Sequence, residues 1–291
     1  APMKVRKSGA DHTFDVLVKV FLWVTLVVIV IPLWSTITLS FRPNDFLGTN
    51  FEGMFLPVWD WSPAAYKALL GNNGFVLAFS NSLKILVMGV ATALLLTIPL
   101  AYVLSLAYDQ SARGKGKERH ANARPFDKQP IMVTQLGLID KLFAVFLPMA
   151  VSTYNCLIMK SFFQGIPNEL RESAQIDGCS EIQVLVRIVL PLSKAIILTV
   201  GLYYGVSFWN DFFHAMLYLN SNSLQPLPIL LRNILMASGM NEFVEVNAFG
   251  EAPIAAIKAA SVFMSAIPMV IAYPFIQKYF TKGTLLGSVK G

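Results

Sequence analysis

Charge is scarce in this chain, and cysteine and histidine are scarcer. Only 14% of its 291 residues are charged, 55% are hydrophobic, and the mean hydropathy is +0.58. A soluble domain carries about one-quarter charged residues, so a large water-facing domain is excluded. The two cysteines exclude a disulfide framework: Cys156 lies in an apolar run, Cys179 in a polar one, and neither has metal-ligand spacing. Three histidines, His12, His120 and His214, stand far apart and form no HExxH pair. No Gly-x-x-x-x-Gly-Lys-Ser/Thr loop exists. Gly114-Lys115-Gly116-Lys117 is basic but lacks the spacing that cradles phosphates. The chain is therefore read as a non-enzyme with no catalytic residue, no metal and no cofactor of its own.

Long apolar runs are abundant. Five of them, 21–37, 85–106, 142–159, 195–217 and 259–275, each sit within a longer apolar stretch. Crossing a bilayer takes about 20 helical residues, and a helix satisfies all its backbone groups internally, as lipid demands. The expected fold class is an all-α integral membrane protein. The net charge of +6 collects at the ends, with Lys4, Arg6 and Lys7 before the first run and Lys278, Lys282 and Lys290 after the last. Both termini are thus expected in the cytoplasm. Aromatics alternate with apolar residues rather than with a basic stripe, so nucleic acid is no expected partner. Ala1-Pro2 reads as a processing remnant ahead of a natural start at Met3, and the first run is too long for a cleaved signal core.

One polar stretch, 166–191, interrupts the apolar runs. Pro167 suits a first helical turn, Glu169 complements the positive start of a helix, and Gly178 can take the positive φ that ends one. Ser180 with Gln183 three residues on fits a capping box opening a second helix. Ile182, Leu185, Val186 and Val189 form its expected apolar stripe, and Pro191 discourages continuation. A short amphipathic hairpin at a membrane surface is a docking element for another protein.

Glu172-Ser173-Ala174, Gly178 and the Ile188-Val189-Leu190-Pro191 ending resemble the "EAA" loop of permease subunits in bacterial ATP-binding-cassette importers, with Ser173 where Ala is usual. Asn81-Ser82-Leu83, Ala101-Tyr102, Phe162-Phe163-Gln164, Leu190-Pro-Leu-Ser193, Gln277-Lys-Tyr-Phe280 and Gly287-Ser-Val-Lys-Gly291 are similar, in order, to sugar-importer permeases of the maltose type. Within that family, 162–167 and 190–194 look most like permeases for oligosaccharides, including alginate and aldouronate importers. The resemblance implies one transmembrane permease domain over 1–291, in the bacterial inner membrane, with a coupling loop at 166–191 and a tail at 281–291. It implies about six transmembrane helices. Implied partners are a second homologous permease, two ATPase subunits carrying ATP and Mg, an extracytoplasmic solute-binding protein, a saccharide and membrane lipid. Leu170, Glu172, Ser173, Ala174, Asp177 and Gly178 would serve ATPase coupling, with Leu170 and Ala174 as the fitted surface. The tail Gly287, Ser288, Val289, Lys290 and Gly291 would contact the ATPases.

Parity poses a problem. From an inside N-terminus, five crossings put the coupling loop and the C-terminus on the wrong side; a sixth near 110–135 repairs both. Yet 109–130 is strongly basic, and each central Arg or Lys costs about 2.5–3.5 kcal/mol in a lipid-facing helix. The segment is wrongly recorded or altered, or it crosses shielded by a partner, or the topology differs. The first is favoured, because similarity resumes abruptly at Val133–Asp140.

Polar residues inside spans face a cavity, a partner or water. Tyr204, Trp209, Asn210 and Asp211, with Tyr154 and Asn155 on the preceding helix, are the candidates for a saccharide path; the plainer reading of Asp211 is a hydrogen bond between helices. Lys84 and Arg42 are bases near the outer side that would suit an acidic saccharide. The outer loops 41–74 and 220–253 have the position to meet a binding protein. The rival reading is a secondary transporter or channel working without ATPase partners.

Overall fold

A computed structural model describes residues 9–43, 50–53, 55, 57–113, 133–236 and 253–287, all helix and connecting turns with no strand among the described residues. The helices that matter are α1 (Gly9–Ser40), α2 (Ala64–Gly71), α3 (Asn73–Arg113), α4 (Thr153–Gln164), α5 (Asn168–Ile176), α6 (Glu181–Val184), α7 (Lys194–Trp209), α8 (Phe213–Tyr218), α9 (Leu227–Met236) and α10 (Ile254–Gly287). Among the described residues, three helices are long and apolar enough to cross a membrane: Thr13–Ser40, Asn73–Ala107 and Ile254–Pro274. Two further candidates are bent pairs, Phe143–Met149 with α4 at 50° and Glu181–Leu192 with α7 at 83°.

The chain forms two compact units. The first holds Ala1–Asn72 and Ile234–Ser265. Its connector after α1 is pinned by aromatics: Phe41 stacks on Trp61 and meets Tyr66, both at 4.8 Å, while the Ser40 and Tyr66 hydroxyls are 2.7 Å apart.

The second unit holds Asn73–Asn233 and Ala266–Gly291. Its core joins α3, α4, α7 and the short helix Phe143–Phe146 through buried Ile85, Ala93, Phe146, Met159, Phe163, Val200 and Phe208. In lipid, close van der Waals packing rather than hydrophobic expulsion holds helices together, so small residues sit where helices approach. A Cβ on Gly89 of α3 would lie 2.8 Å from the Phe208 ring and 3.1 Å from Phe146. Only hydrogen fits at that position.

This unit has two ends, defined by polar contacts. At one, Asn81 Nδ2 donates to the Ser223 carbonyl (2.8 Å) and the Leu227 N–H donates to Ser82 Oγ (2.8 Å). The Asp140 carboxylate joins the same end, accepting from the Asn220 and Ser221 N–H groups (3.1 and 2.9 Å) and from the Ser221 hydroxyl. At the other end Tyr102, later on α3, meets the 163–181 hairpin. Twenty-one residues of helix separate Asn81 from Tyr102, about 32 Å at 1.5 Å per residue and hence one bilayer core. The chain leaves α3 at the hairpin end and is next described at 133–140, at the opposite end. Residues 114–132, most of the stretch near 110–135 where the sixth crossing was expected, lie outside the described residues.

Some expectations change. The 195–217 run is not one helix: α7 stops at Trp209, and Asn210–Phe212 separate it from α8. The expected stripe of the second hairpin helix is split. Val189 is fully buried, but Ile182 and Val186 are 75% and 53% exposed. The buried side runs through Val184, Leu185, Ile188 and Val189 instead, with a π turn over Leu185–Val189. The expected tail from 281 is helical as far as Gly287, and Ser288, Val289, Lys290 and Gly291 lie outside the described residues.

Candidate functional site

The hairpin is built from its turns. Pro167 caps α5 with extended ψ, and Glu169 sits in the first turn. Gly178 has φ +84° after α5, a backbone that costs an L-residue about 1–2 kcal/mol and glycine almost nothing. Ser180 and Gln183 form the reciprocal capping box of α6: Ser180 N–H donates to Gln183 Oε1 at 2.8 Å, and Gln183 N–H donates back to Ser180 Oγ at 3.4 Å.

Two faces result. Outward on α5 and its turn stand Glu169, Leu170, Glu172, Ser173, Ile176, Asp177 and Gly178, with Ile176 86% exposed and Leu170 44%. Inward turn Arg171 and Ala174, 5% and 8% exposed. Ala174 was expected on the fitted surface; it packs in the core instead, three residues from Arg171 on the same buried stripe.

Arg171 was not singled out by the sequence. Its Nη2 donates to the Phe163 carbonyl at the C-terminus of α4 (2.8 Å), and its guanidinium lies 5.5 Å from the Tyr102 ring centroid. The Tyr102 hydroxyl donates to Glu181 Oε2 (2.8 Å), and Gln175 Nε2 donates to Glu181 Oε1 (2.6 Å). The available signal was its place three residues before Ala174 on a nine-residue amphipathic helix.

The in-span candidates divide in two. Tyr204 is 2% exposed; its hydroxyl accepts from the Ser152 N–H (2.9 Å) and pairs with Thr97 Oγ1 (2.8 Å), bracing α3 to the break before α4. Trp209 is 4% exposed and edge-on to Phe79 at 5.9 Å; Asn155 is buried. Asp211 accepts from the His214 N–H (3.2 Å) and lies 3.0 Å from His214 Nδ1, capping α8 with both side chains buried. These four are packing and capping groups, so their expected place along an open path is corrected. Tyr154 and Asn210, by contrast, are exposed. Tyr203, Val206 and Ser207 of α7 and its C-cap Asn210 form one exposed stripe, and the Tyr203 ring lies 6.4 Å from that of Tyr154. Among the described residues, no three His, Cys, Asp or Glu side chains are grouped to hold a metal ion.

Residues 4–285 match the family described as the inner membrane component of binding-protein-dependent transport systems. The chain belongs to this family. As such an inner membrane component it is a permease subunit of a transport system, and the reading as a transporter working without such a system is set aside. It is 37% identical to the protein LplC of Bacillus subtilis (strain 168), over 99% of this chain and 98% of that one. It is 36% identical to the polygalacturonan/rhamnogalacturonan transport system permease protein YtcP of the same organism, over 97% and 99%. The permease shares its fold with a chain of a bacterial ABC transporter involved in the import of the acidic polysaccharide alginate, at a TM-score of 0.77 and 24% identity over 95% of this chain and 100% of that one.

Proposed function

We propose that this permease subunit serves an ATP-driven importer of oligosaccharides derived from acidic polysaccharides. The 166–191 hairpin docks on a separate ATPase subunit in the cytoplasm, and the exposed stripe of Tyr154, Tyr203, Ser207 and Asn210 lines the saccharide path. Leu170, Glu172, Ser173, Ile176, Asp177 and Gly178 form the docking surface. Closure of an ATPase pair moves the hairpin, and the spans rock between inward- and outward-facing states against a second permease. A solute-binding protein delivers the sugar from outside, and the C-terminal residues reach the ATPases. Exposed tyrosines suit the path because their rings stack on sugar faces and their hydroxyls, with serine and amide groups, bind sugar hydroxyls. A relative named for polygalacturonan/rhamnogalacturonan and the alginate-importing structure support an acidic sugar, as does exposed Lys84 near the Asn81 end.

Ile176 is the observation that carries the docking reading. A β-branched aliphatic side chain 86% exposed at the tip of an anchored helix gains about 1.5–3 kcal/mol when a partner covers it. In the complex purified from native membranes through a tag on this chain, Ile176→Glu is expected to cut ATPase co-purification about tenfold or more. It is also expected to abolish ATP-dependent crosslinking through Cys179. Wild-type retention of ATPase and wild-type crosslinking in that variant would refute the docking role.

A further inference from the structure

We infer that Arg171, Tyr102 and Glu181 form a strut that transmits hairpin movement to α3 and α4, making Arg171 a positioning residue for coupling. The inference rests on the docking role of the hairpin and adds how its motion reaches the spans. α5 is nine residues long and hangs between two turns, Gly165–Pro167 and Asp177–Ser180. A helix that short is marginal by itself, and hinged at both ends it would absorb a push by rocking. Three side-chain links oppose that. Arg171 Nη2 donates to the Phe163 carbonyl near the end of α4 (2.8 Å), where a cation also meets the negative end of that helix. Its guanidinium faces the ring of Tyr102 on α3, and Tyr102 in turn stands edge-on to Phe163 at 6.4 Å. The Tyr102 hydroxyl and Gln175 then hold the two oxygens of Glu181, at the start of α6, from α3 and from α5 respectively (2.8 and 2.6 Å). Four helices thus meet through four side chains, Arg171, Tyr102, Gln175 and Glu181, at one point.

The residue choice argues for transmission rather than plain packing. An arginine on the buried stripe of α5 carries a desolvation cost that a leucine at the same place would not. What it supplies instead is direction, because hydrogen bonds fix an angle where apolar contacts allow sliding. A load on Ile176 and Leu170 from outside is carried by the same helix to Arg171, five residues or one residue away, and from there to the ends of two spans.

The test uses two mild variants, Tyr102→Phe and Glu181→Gln, which keep the ring and the shape while removing the hydroxyl or the charge. In the full chain in nanodiscs, amide hydrogen exchange over 168–184 is expected to rise about tenfold in both, the size expected for losing a hydrogen bond to a charged group. Exchange in the α3 and α7 spans should stay as in the wild type. In the native complex in proteoliposomes with trigalacturonate as probe, uptake per ATP hydrolysed is expected to fall about tenfold, while ATP hydrolysis falls less. Arg171→Lys should restore part of the ratio that Arg171→Met loses, because one donor still reaches the Phe163 carbonyl. Unchanged hairpin exchange in both mild variants overturns the strut, as does a loosened hairpin with an unchanged uptake ratio. Absence of any ATP-driven uptake of the probe by the wild-type complex would count against the import reading, while the exchange measurement still judges the strut.

Discussion

Tyr203 and Tyr204 are neighbours in sequence and opposites in environment. One residue step turns a helix by about 100°, which sends Tyr203 to the exposed stripe and Tyr204 into the core, where its hydroxyl serves Thr97 and the Ser152 N–H. Tyr204→Phe strands a half-buried backbone donor and a buried Thr97 hydroxyl and is expected to cost about 1–3 kcal/mol, lowering the melting temperature in detergent. Tyr203→Phe and Tyr154→Ala should leave that temperature unchanged and slow saccharide uptake instead. A Tyr203→Phe protein that melts early with normal uptake would exchange the two assignments. The same logic explains why the sequence located the polar cluster of α7 but not its lining. α7 is apolar all round, so no periodicity marks which tyrosine faces out. Only the packing of α3 and the Gly89 contact with Phe208 sets its rotation. Arg171 was illegible for a related reason: a lone arginine on an amphipathic helix reads as solvated until a carbonyl and a ring are found beside it.

At the scale of elements, the hairpin was the most legible part, because its start, turn and second start each depend on local chemistry: a proline, a glycine at positive φ, a capping box. What the local signals could not supply was the π turn at Leu185–Val189 or the side of this helix that is buried, which leaves Ile182 and Val186 at the surface. The turn at Asp140 is a second local device, and sequence reading passed over it. Asp140 has φ +60°, a region that Asp tolerates better than most residues, and its carboxylate gathers donors from Asn220 and Ser221. The Ser221 hydroxyl and N–H, chief among them, hold that carboxyl below its ordinary value of 3.8. A depressed carboxylate pKa stabilises the fold above the ordinary value and loses the effect as pH falls through the folded one. The clasp is therefore expected to be intact from neutral pH down to about 4. Relative to intrinsic rates, exchange at the Asn220 and Ser221 amides should be flat between pH 7 and 5 in the wild type. Asp140→Ala should be fast throughout. Protection that disappears near pH 6 would mean that a different group holds this turn.

For the second unit as a whole, sidedness follows from four contacts and one helix length. Asn81, Ser82, Asp140 and Ser223–Leu227 share one end, Tyr102 and the hairpin share the other, and α3 sets them about one bilayer core apart. Counting apolar runs finds five crossings and leaves parity broken, because charge in 109–130 hides any sixth from a hydropathy scan. The contacts do not depend on that segment. They set Tyr102 and Asp140 at opposite ends of the unit, a traverse of about one bilayer core. In a background with Cys156→Ser and Cys179→Ser, single cysteines at Ser173, Leu136 and Asn220 report the sides directly. If the hairpin docks in the cytoplasm, a membrane-impermeant thiol reagent should label Ser173→Cys only from the cytoplasmic face. It should label Leu136→Cys and Asn220→Cys only from the outside. Because Asp140 is bonded to Ser221, the last two must agree with each other. Labelling of Leu136→Cys from the cytoplasm with Asn220→Cys outside would break the clasp and the traverse together. Labelling of all three from one face would leave no bilayer between the hairpin and the clasp, and α3 would then not be a span.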